Sequence, residues 1–180
     1  MAAKIICISG KAQSGKDTAG HLLRLDLEDR GFRVLEAHYA DLLKYICKAF
    51  FGWDGRKDEK GRELLQRVGT DTVRAYVPDY WVAFICDMLY LFPDEWDYVI
   101  ISDCRFPNEF EYLIGNGFDA TLVRVDRPNY DNGLTREQKE HESETAMDYY
   151  PPDYLIVNDS GTRDLAAKVT TLSKCLRGEI

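Results

Sequence analysis

This chain lacks an excess of positive charge, a long apolar run, a paired set of cysteines and any internal repeat, and each absence removes a class of function. Its 23 lysines and arginines are outnumbered by 31 aspartates and glutamates, giving a net charge of -8. Nucleic-acid polymers and acidic membranes are held by basic footprints, so neither is an expected partner. An anionic ligand must instead be met by local arginines and lysines. The cysteines (Cys7, Cys47, Cys86, Cys104 and Cys175) are odd in number and scattered, with no C-x-x-C pair. Three of them lie in apolar runs, so they are expected as free thiols in a reducing cytoplasm. The longest apolar helical pattern, residues 80–92, is interrupted by Asp87, and the short apolar run near the N-terminus leads straight into a glycine-rich loop rather than a leader. A soluble cytoplasmic protein is expected. His21, His38 and His141 are too far apart in sequence to set out a zinc site. With 180 residues, one domain over residues 1–180 buries roughly 70% of its unfolded surface around one core.

The most informative stretch follows the apolar residues 5–8. Ser9-Gly10-Lys11-Ala12-Gln13-Ser14-Gly15-Lys16-Asp17-Thr18 spells G-x-x-x-x-G-K, with Asp17 where a hydroxyl residue is usual. Glycines at those spacings let successive N–H groups turn inward at the start of a helix, whose dipole also favours an anion. Lys16 then reaches the β and γ phosphates of a nucleotide. The strand before and the helical pattern after supply the context that this motif requires.

Apolar runs of strand length recur at residues 5–8, 32–37, 98–101, 120–125 and 154–157 with helical segments between them, the pattern of a five-stranded parallel α/β sheet. Helices are expected over 16–30, stopped by Gly31, and over 40–51, 62–75 and 80–91. The consecutive helices within residues 38–97 form an insertion over one end of the sheet, where a second substrate is clasped. Residues 52–61 read as a solvated loop without chemistry. A short helix over 110–114 closes at Gly115 or Gly117. The last helix, 162–176, is capped by Ser160 or Thr162 and carries Leu165, Val169, Leu172 and Leu176 at helical spacing, a packing stripe. Residues 127–147 are polar and irregular, which inside a compact domain marks a functional or disordered segment.

Several chemistry-bearing groups fall at the ends of these elements. Asp103 stands at the carboxyl end of the third strand, where open α/β sheets place ligands; it either holds Mg²⁺, directly or through water, or caps the following helix, as Asn108 and Glu109 can. Arg105, two residues on, offers a planar fork for phosphate. Arg67 and Arg74 are seven residues apart, about two turns on one helical face, flanking Gly69-Thr70-Asp71-Thr72. Such a face is solvated or binds an anion; the break at Gly69 and Thr70, where a ligand or backbone approaches, favours the second. Asp41 and Lys44 open the preceding helix. Tyr80 and Trp81 open the next, where an aromatic face stacks a base or packs in the core. Arg124, Arg127 and Arg136, followed by His141-Glu142-Ser143-Glu144, fit a mobile lid over residues 127–147 whose arginines close on transferring phosphates.

Taken together these stretches resemble the bacteriophage-type deoxynucleoside monophosphate kinases, a branch of the phosphate-loop (P-loop) nucleoside monophosphate kinases. The resemblance is carried by residues 9–18 with their G-K-D-T ending, by Leu65-Gln66-Arg67-Val68-Gly69-Thr70-Asp71 with Tyr80-Trp81-Val82, by Asp103-Cys104-Arg105 with Asn108-Glu109, and by Asn158-Asp159-Ser160-Gly161-Thr162. The aspartate after Lys16 is shared with that family. The resemblance implies a P-loop kinase three-layer sandwich with a helical acceptor-binding region and a lid. ATP is the implied donor, Mg²⁺ the metal, and a (deoxy)nucleoside 5'-monophosphate the acceptor. The donor phosphates then fall to Gly10, Lys11, Ala12, Gln13, Ser14, Gly15 and Lys16, with Thr18 at the α phosphate and Asn158, Gly161 and Thr162 beside the adenine. Asp17 and Asp103 take the metal. The acceptor falls to Asp41, Lys44, Arg67, Thr70, Asp71, Arg74, Trp81, Arg105, Glu109, His141 and Glu144, and the charge on the transferring group to Lys16, Arg105, Arg127 and Arg136. A homodimer is compatible with this reading. Two alternatives stay open: a small-metabolite kinase such as a phosphomevalonate kinase, and an ATP-binding regulatory protein without turnover.

Overall fold

In the computed structural model, which describes residues 3–56 and 58–180, five parallel strands form one sheet in the order β2-β3-β1-β4-β5. They are β1 (Lys4–Ser9), β2 (Val34–Ala37), β3 (Tyr98–Cys104), β4 (Ala120–Asp126) and β5 (Tyr154–Val157). Their alternation sorts the core into two layers. Ile5, Cys7, Val99, Ile101 and Leu122 face one side, under α2 (Ala40–Phe51), α4 (Tyr80–Leu91) and α5 (Pro107–Gly115). Ile6, Ile8, Ile100, Val123 and Ile156 face the other, under α1 (Lys16–Glu28) and α8 (Thr162–Leu176). The result is the expected three-layer sandwich. All the cysteines are free, and no helix among the described residues is long and apolar enough to cross a membrane.

Where the structure departs from the sequence reading, local hydrogen bonding explains it. The segment expected as one helix over 62–75 begins earlier, as α3 (Glu59–Gln66), because the Asp58 side chain caps it by accepting from the Gly61 N–H at 2.9 Å. At Arg67 it widens into a π-helix (Arg67–Arg74), with the Ala75 N–H reaching back to the Thr70 carbonyl. The loop over 52–61 is not wholly solvated: Trp53 is buried and donates its indole N–H to the Arg56 carbonyl at 2.9 Å. Lys57 of that loop lies outside the described residues. The last helix starts from Gly161 without a side-chain cap, since Ser160 turns its hydroxyl to Asp159. Residues 127–147 are less irregular than expected; they contain α6 (Arg136–Glu140) and α7 (Glu142–Thr145).

Candidate active site

The glycine-rich loop joins β1 to α1 at the carboxyl edge of the sheet. Gly10 and Gly15 have φ of 151° and 99°, which side chains rarely adopt, and a Cβ on Gly10 would stand 2.5 Å from the Val125 carbonyl oxygen. A Cβ on Gly15 would stand 2.5 Å from the Asn158 side-chain nitrogen, which itself donates to the Ser14 carbonyl at 2.8 Å. Asn158 therefore braces the loop from the end of β5. The Ser14 hydroxyl is buried and meets no hydrogen-bond partner among the described residues, which is uncommon for a buried polar atom. Lys16 is buried with its ammonium 3.1 Å from the Asp17 carboxylate. Burial, and then the charge of Arg105, lower its pKa, with Asp17 pulling the other way.

Two clefts open from this lysine. The larger, of about 310 Å³, runs under the helical region and is lined by Lys16, Asp17, Lys44, Arg74, Asp103 and Arg105, with Thr70 and Trp81 deeper in. The smaller, of about 270 Å³, lies on the α8 side and is lined by Gln13, Thr18, Arg127, Asn158, Gly161 and Thr162. Lys16 and Asp17 belong to both.

Arg74 is held from three directions. Its guanidinium donates to Glu109 at 2.5 Å and to the Asn108 side chain at 3.2 Å, and it lies 3.8 Å from the centre of the Phe106 ring. Glu109 is only 2% exposed. Its second oxygen accepts from the Arg105 N–H at 2.6 Å and the Phe106 N–H at 3.1 Å, so it also caps α5. Burial pushes the Glu109 carboxyl up to about 7, against the pull of Arg74 downward. Glu109 thus sits behind the arginines that face the cleft. Arg105 pairs with Glu144 of α7 and donates to the Ser143 carbonyl at 3.1 Å.

Asp103 fulfils the capping alternative, but on a helix distant in sequence. Its two oxygens accept from the Tyr39 and Ala40 N–H groups at 2.9 and 3.0 Å, fixing the start of α2. A carboxylate has further lone pairs, and Asp103 remains on the cleft wall. Among the described residues no cluster of three or more His, Cys, Asp or Glu side chains is arranged to hold a metal. Mg²⁺ needs none: it is usually held by one or two carboxylates together with substrate phosphates and water, and the oxygen donors of Asp17 and Asp103, both in the lining of the larger cleft, suit that mode.

Several expected site residues are not brought to the clefts. Arg67 and Asp71 are exposed and absent from both linings, because the π-helix takes more residues per turn than an α-helix and positions seven apart no longer share a face. Asp41 is turned outward, where it pairs with Lys44 at 2.7 Å and His38 at 3.2 Å. The Arg136 side chain is 89% exposed and pairs with Glu140 on its own helix. His141 spends its ring nitrogen on the Ser143 N–H at 3.2 Å as the cap of α7. Trp81 is 4% exposed, with its indole N–H on the Gly69 carbonyl at 3.2 Å, so it forms a wall rather than a free stacking face. Gly69 accommodates the close packing of α2: a Cβ there would stand 2.6 Å from Leu43. In the other direction, His38, Gln66 and Gln138 line the larger cleft without having been singled out as binding residues. Gln66 alone had a signal, lying beside Arg67 in a stretch already noted.

The sequence model of the family described as deoxynucleotide monophosphate kinase matches residues 53–169, which take in the helical region after α2, Asp103, Arg105 and the polar segment but not the phosphate loop. An uncharacterized protein, ORF77, of Ictalurid herpesvirus 1 (strain Auburn) is 30% identical over 171 residues, which are 92% of this chain and 68% of that one. Among solved structures, the Mycobacterium tuberculosis APS kinase CysC in complex with AMPPNP and APS superposes with a TM-score of 0.57 at 12% identity, over 98% of each chain. TT1252 from Thermus thermophilus gives a TM-score of 0.52 at 19% identity, over 100% of this chain and 99% of that one.

Proposed function

Because the chain belongs to the deoxynucleotide monophosphate kinase family, we propose that it transfers the γ-phosphoryl group of ATP to a deoxynucleoside 5'-monophosphate, giving the diphosphate. The observation that carries this reading is the pair of clefts meeting at Lys16 and Asp17. A protein that only senses ATP needs one cleft. A transferase needs two, with a cation where the group changes hands. ATP occupies the smaller cleft, its phosphates on the loop amides and Lys16 and its adenine toward Asn158, Gly161 and Thr162. The monophosphate occupies the larger one, with its phosphate on Arg74 and Arg105 and its base toward Thr70 and Trp81.

The attacking oxygen belongs to a phosphate monoester with a second pKa of about 6, so near neutral pH it is already mostly a dianion and no side chain has to act as base. The work left to the protein is positioning and charge neutralisation. Arg74 and Arg105 hold the acceptor phosphate in line while Lys16 stays with the transferring group. Arg127, stacked 3.6 Å from the Tyr130 ring and donating to the Gln13 carbonyl at 3.3 Å, closes the donor side. Asp17 and Asp103 would hold Mg²⁺ or its waters, which when bound supplies charge neutralisation between the donor phosphates.

A coupled assay of ATP consumption tests this. It takes the four deoxynucleoside monophosphates, their ribose counterparts and mevalonate 5-phosphate as acceptors, with a blank lacking acceptor. Consumption that requires a deoxynucleoside monophosphate supports the reading. Consumption with mevalonate 5-phosphate alone, or ATP binding with no turnover on any acceptor, refutes it.

A further inference from the structure

Two arginines of the larger cleft, Arg74 and Arg105, are braced differently. Arg74 leans on Glu109, which is fixed in the body of the fold at the start of α5. Arg105 leans on Glu144, which comes from the polar segment through α7. The Glu144 carboxylate has one oxygen on the Arg105 guanidinium, while the other accepts from the Ala12 N–H of the phosphate loop at 2.8 Å. Its side chain is 9% exposed. The same segment grips the loop tip elsewhere. Gln13 donates to the Asn132 carbonyl at 2.8 Å and accepts from the Tyr130 hydroxyl at 3.1 Å, and just past the segment Asp148 pairs with Lys11 at 2.6 Å. Gln13 itself is held at φ 62°, an uncommon conformation for a residue with a side chain.

We propose that Glu144 is a positioning residue: seated between the Ala12 N–H and the Arg105 guanidinium, it sets the direction of Arg105, so that the acceptor-phosphate site is complete only when the segment over residues 127–147 is docked on the phosphate loop. The inference rests on the reading that Arg105 meets the acceptor phosphate. Its physical basis is the geometry of guanidinium. Arg105 has five N–H donors in a rigid fork, and a carboxylate anchored on backbone selects which edge turns to the cleft. Docking the segment thereby does more than exclude water; it supplies the carboxylate that aims the cation. The opposite role, a stand-in anion that substrate must displace from Arg105, makes the opposite prediction, since removing Glu144 would then improve acceptor binding.

The test is steady-state kinetics of Glu144→Gln, Glu144→Asp and Arg105→Ala in the full chain, with the deoxynucleoside monophosphate of the four that turns over fastest as acceptor. It is combined with timed trypsin cleavage at Arg127, Arg136 and Lys139. Charge-assisted hydrogen bonds are among the strong ones, and their loss predicts a roughly tenfold or greater rise in acceptor KM for Glu144→Gln. The ATP KM should move less than about twofold, Glu144→Asp should recover part of the loss, and Glu144→Gln should be cleaved faster. An acceptor KM that is unchanged or falls in Glu144→Gln, while Arg105→Ala raises it, overturns the inference and leaves the Arg105 assignment standing. If Arg105→Ala leaves the acceptor KM unchanged, the assignment beneath it fails first.

Discussion

Replacing Glu109 by glutamine should make the protein's stability less dependent on pH, and the size of the effect follows from where this carboxyl sits. Burial raises its pKa from 4.5 to about 7 in the folded chain, with Arg74 opposing. Between those values the folded state binds a proton that the unfolded state has released. Stability from this group is therefore fully present below about pH 4.5 and is lost as pH rises through about 7. At about 1.4 kcal/mol for each pKa unit the loss is roughly 3 kcal/mol, most of it between pH 5 and 8. Glu109→Gln keeps the shape and the acceptor for the Arg105 and Phe106 N–H groups but cannot ionise. Urea unfolding at pH 5, 6, 7 and 8 should show wild type losing roughly 2–3 kcal/mol relative to the variant across that range, with unchanged m values. Arg74→Ala provides the counterpart. It leaves Glu109 without its cation, so its destabilisation should be larger at pH 8, where the wild-type pair is ionised, than at pH 5, approaching the roughly 3–5 kcal/mol of a broken buried pair. A wild-type minus Glu109→Gln difference that stays constant from pH 5 to 8 would refute the claim that burial governs this carboxyl.

Other predictions are simpler to score. Lys16→Ala should keep a wild-type circular dichroism spectrum and lose at least roughly a hundredfold in kcat, as expected for removing one preorganised charge from a water-poor site; Arg136→Ala, 89% exposed in the parent, should stay within twofold of the parent rate and serves as the control. Gly69→Ala should destabilise the fold by roughly 1–3 kcal/mol in urea, because the new methyl would press on Leu43, and an unchanged midpoint would mean that α2 gives way freely. Asp17→Asn should bind ATP more nearly equally with and without Mg²⁺, because repulsion between the carboxylate and the donor phosphates falls, while turnover slows; calorimetry with and without chelator would contradict this if both affinities and the rate match the parent.

Much of the scaffold was readable because it is encoded locally. The unbroken apolar run of residues 98–101 marks a strand buried on both faces, and the spacing of Leu165, Val169, Leu172 and Leu176 marks a helix resting on the sheet. The phosphate loop was readable for a similar reason, since its glycines answer to their own backbone angles. What could not be read depends on partners far along the chain. Asp103 caps a helix that begins more than sixty residues earlier, and nothing near it in sequence names that helix. The Arg74–Glu109 pair joins the π-helix to α5; both residues were noticed, but as separate ligands rather than as one brace. Arg67 shares a face with Arg74 only at 3.6 residues per turn, and the change of winding at Arg67 removes it; Asp71, implied by the resemblance alone, is turned to solvent.

That winding also makes the position of Arg74 a matter of counting. Each residue turns the chain by roughly 100° in an α-helix and by less in a π-helix, so a length change within Arg67–Arg74 acts on the guanidinium as a rotation. Deleting Thr72, an exposed residue that neither cleft uses, with the winding otherwise kept, would swing everything beyond it around the axis, carrying Arg74 away from Glu109 and Phe106 without altering either side chain. Homologous chains should then vary freely in the identity of the outward positions here while keeping their number fixed. An alignment gap in this stretch would mark a protein whose acceptor phosphate is met by some other cation.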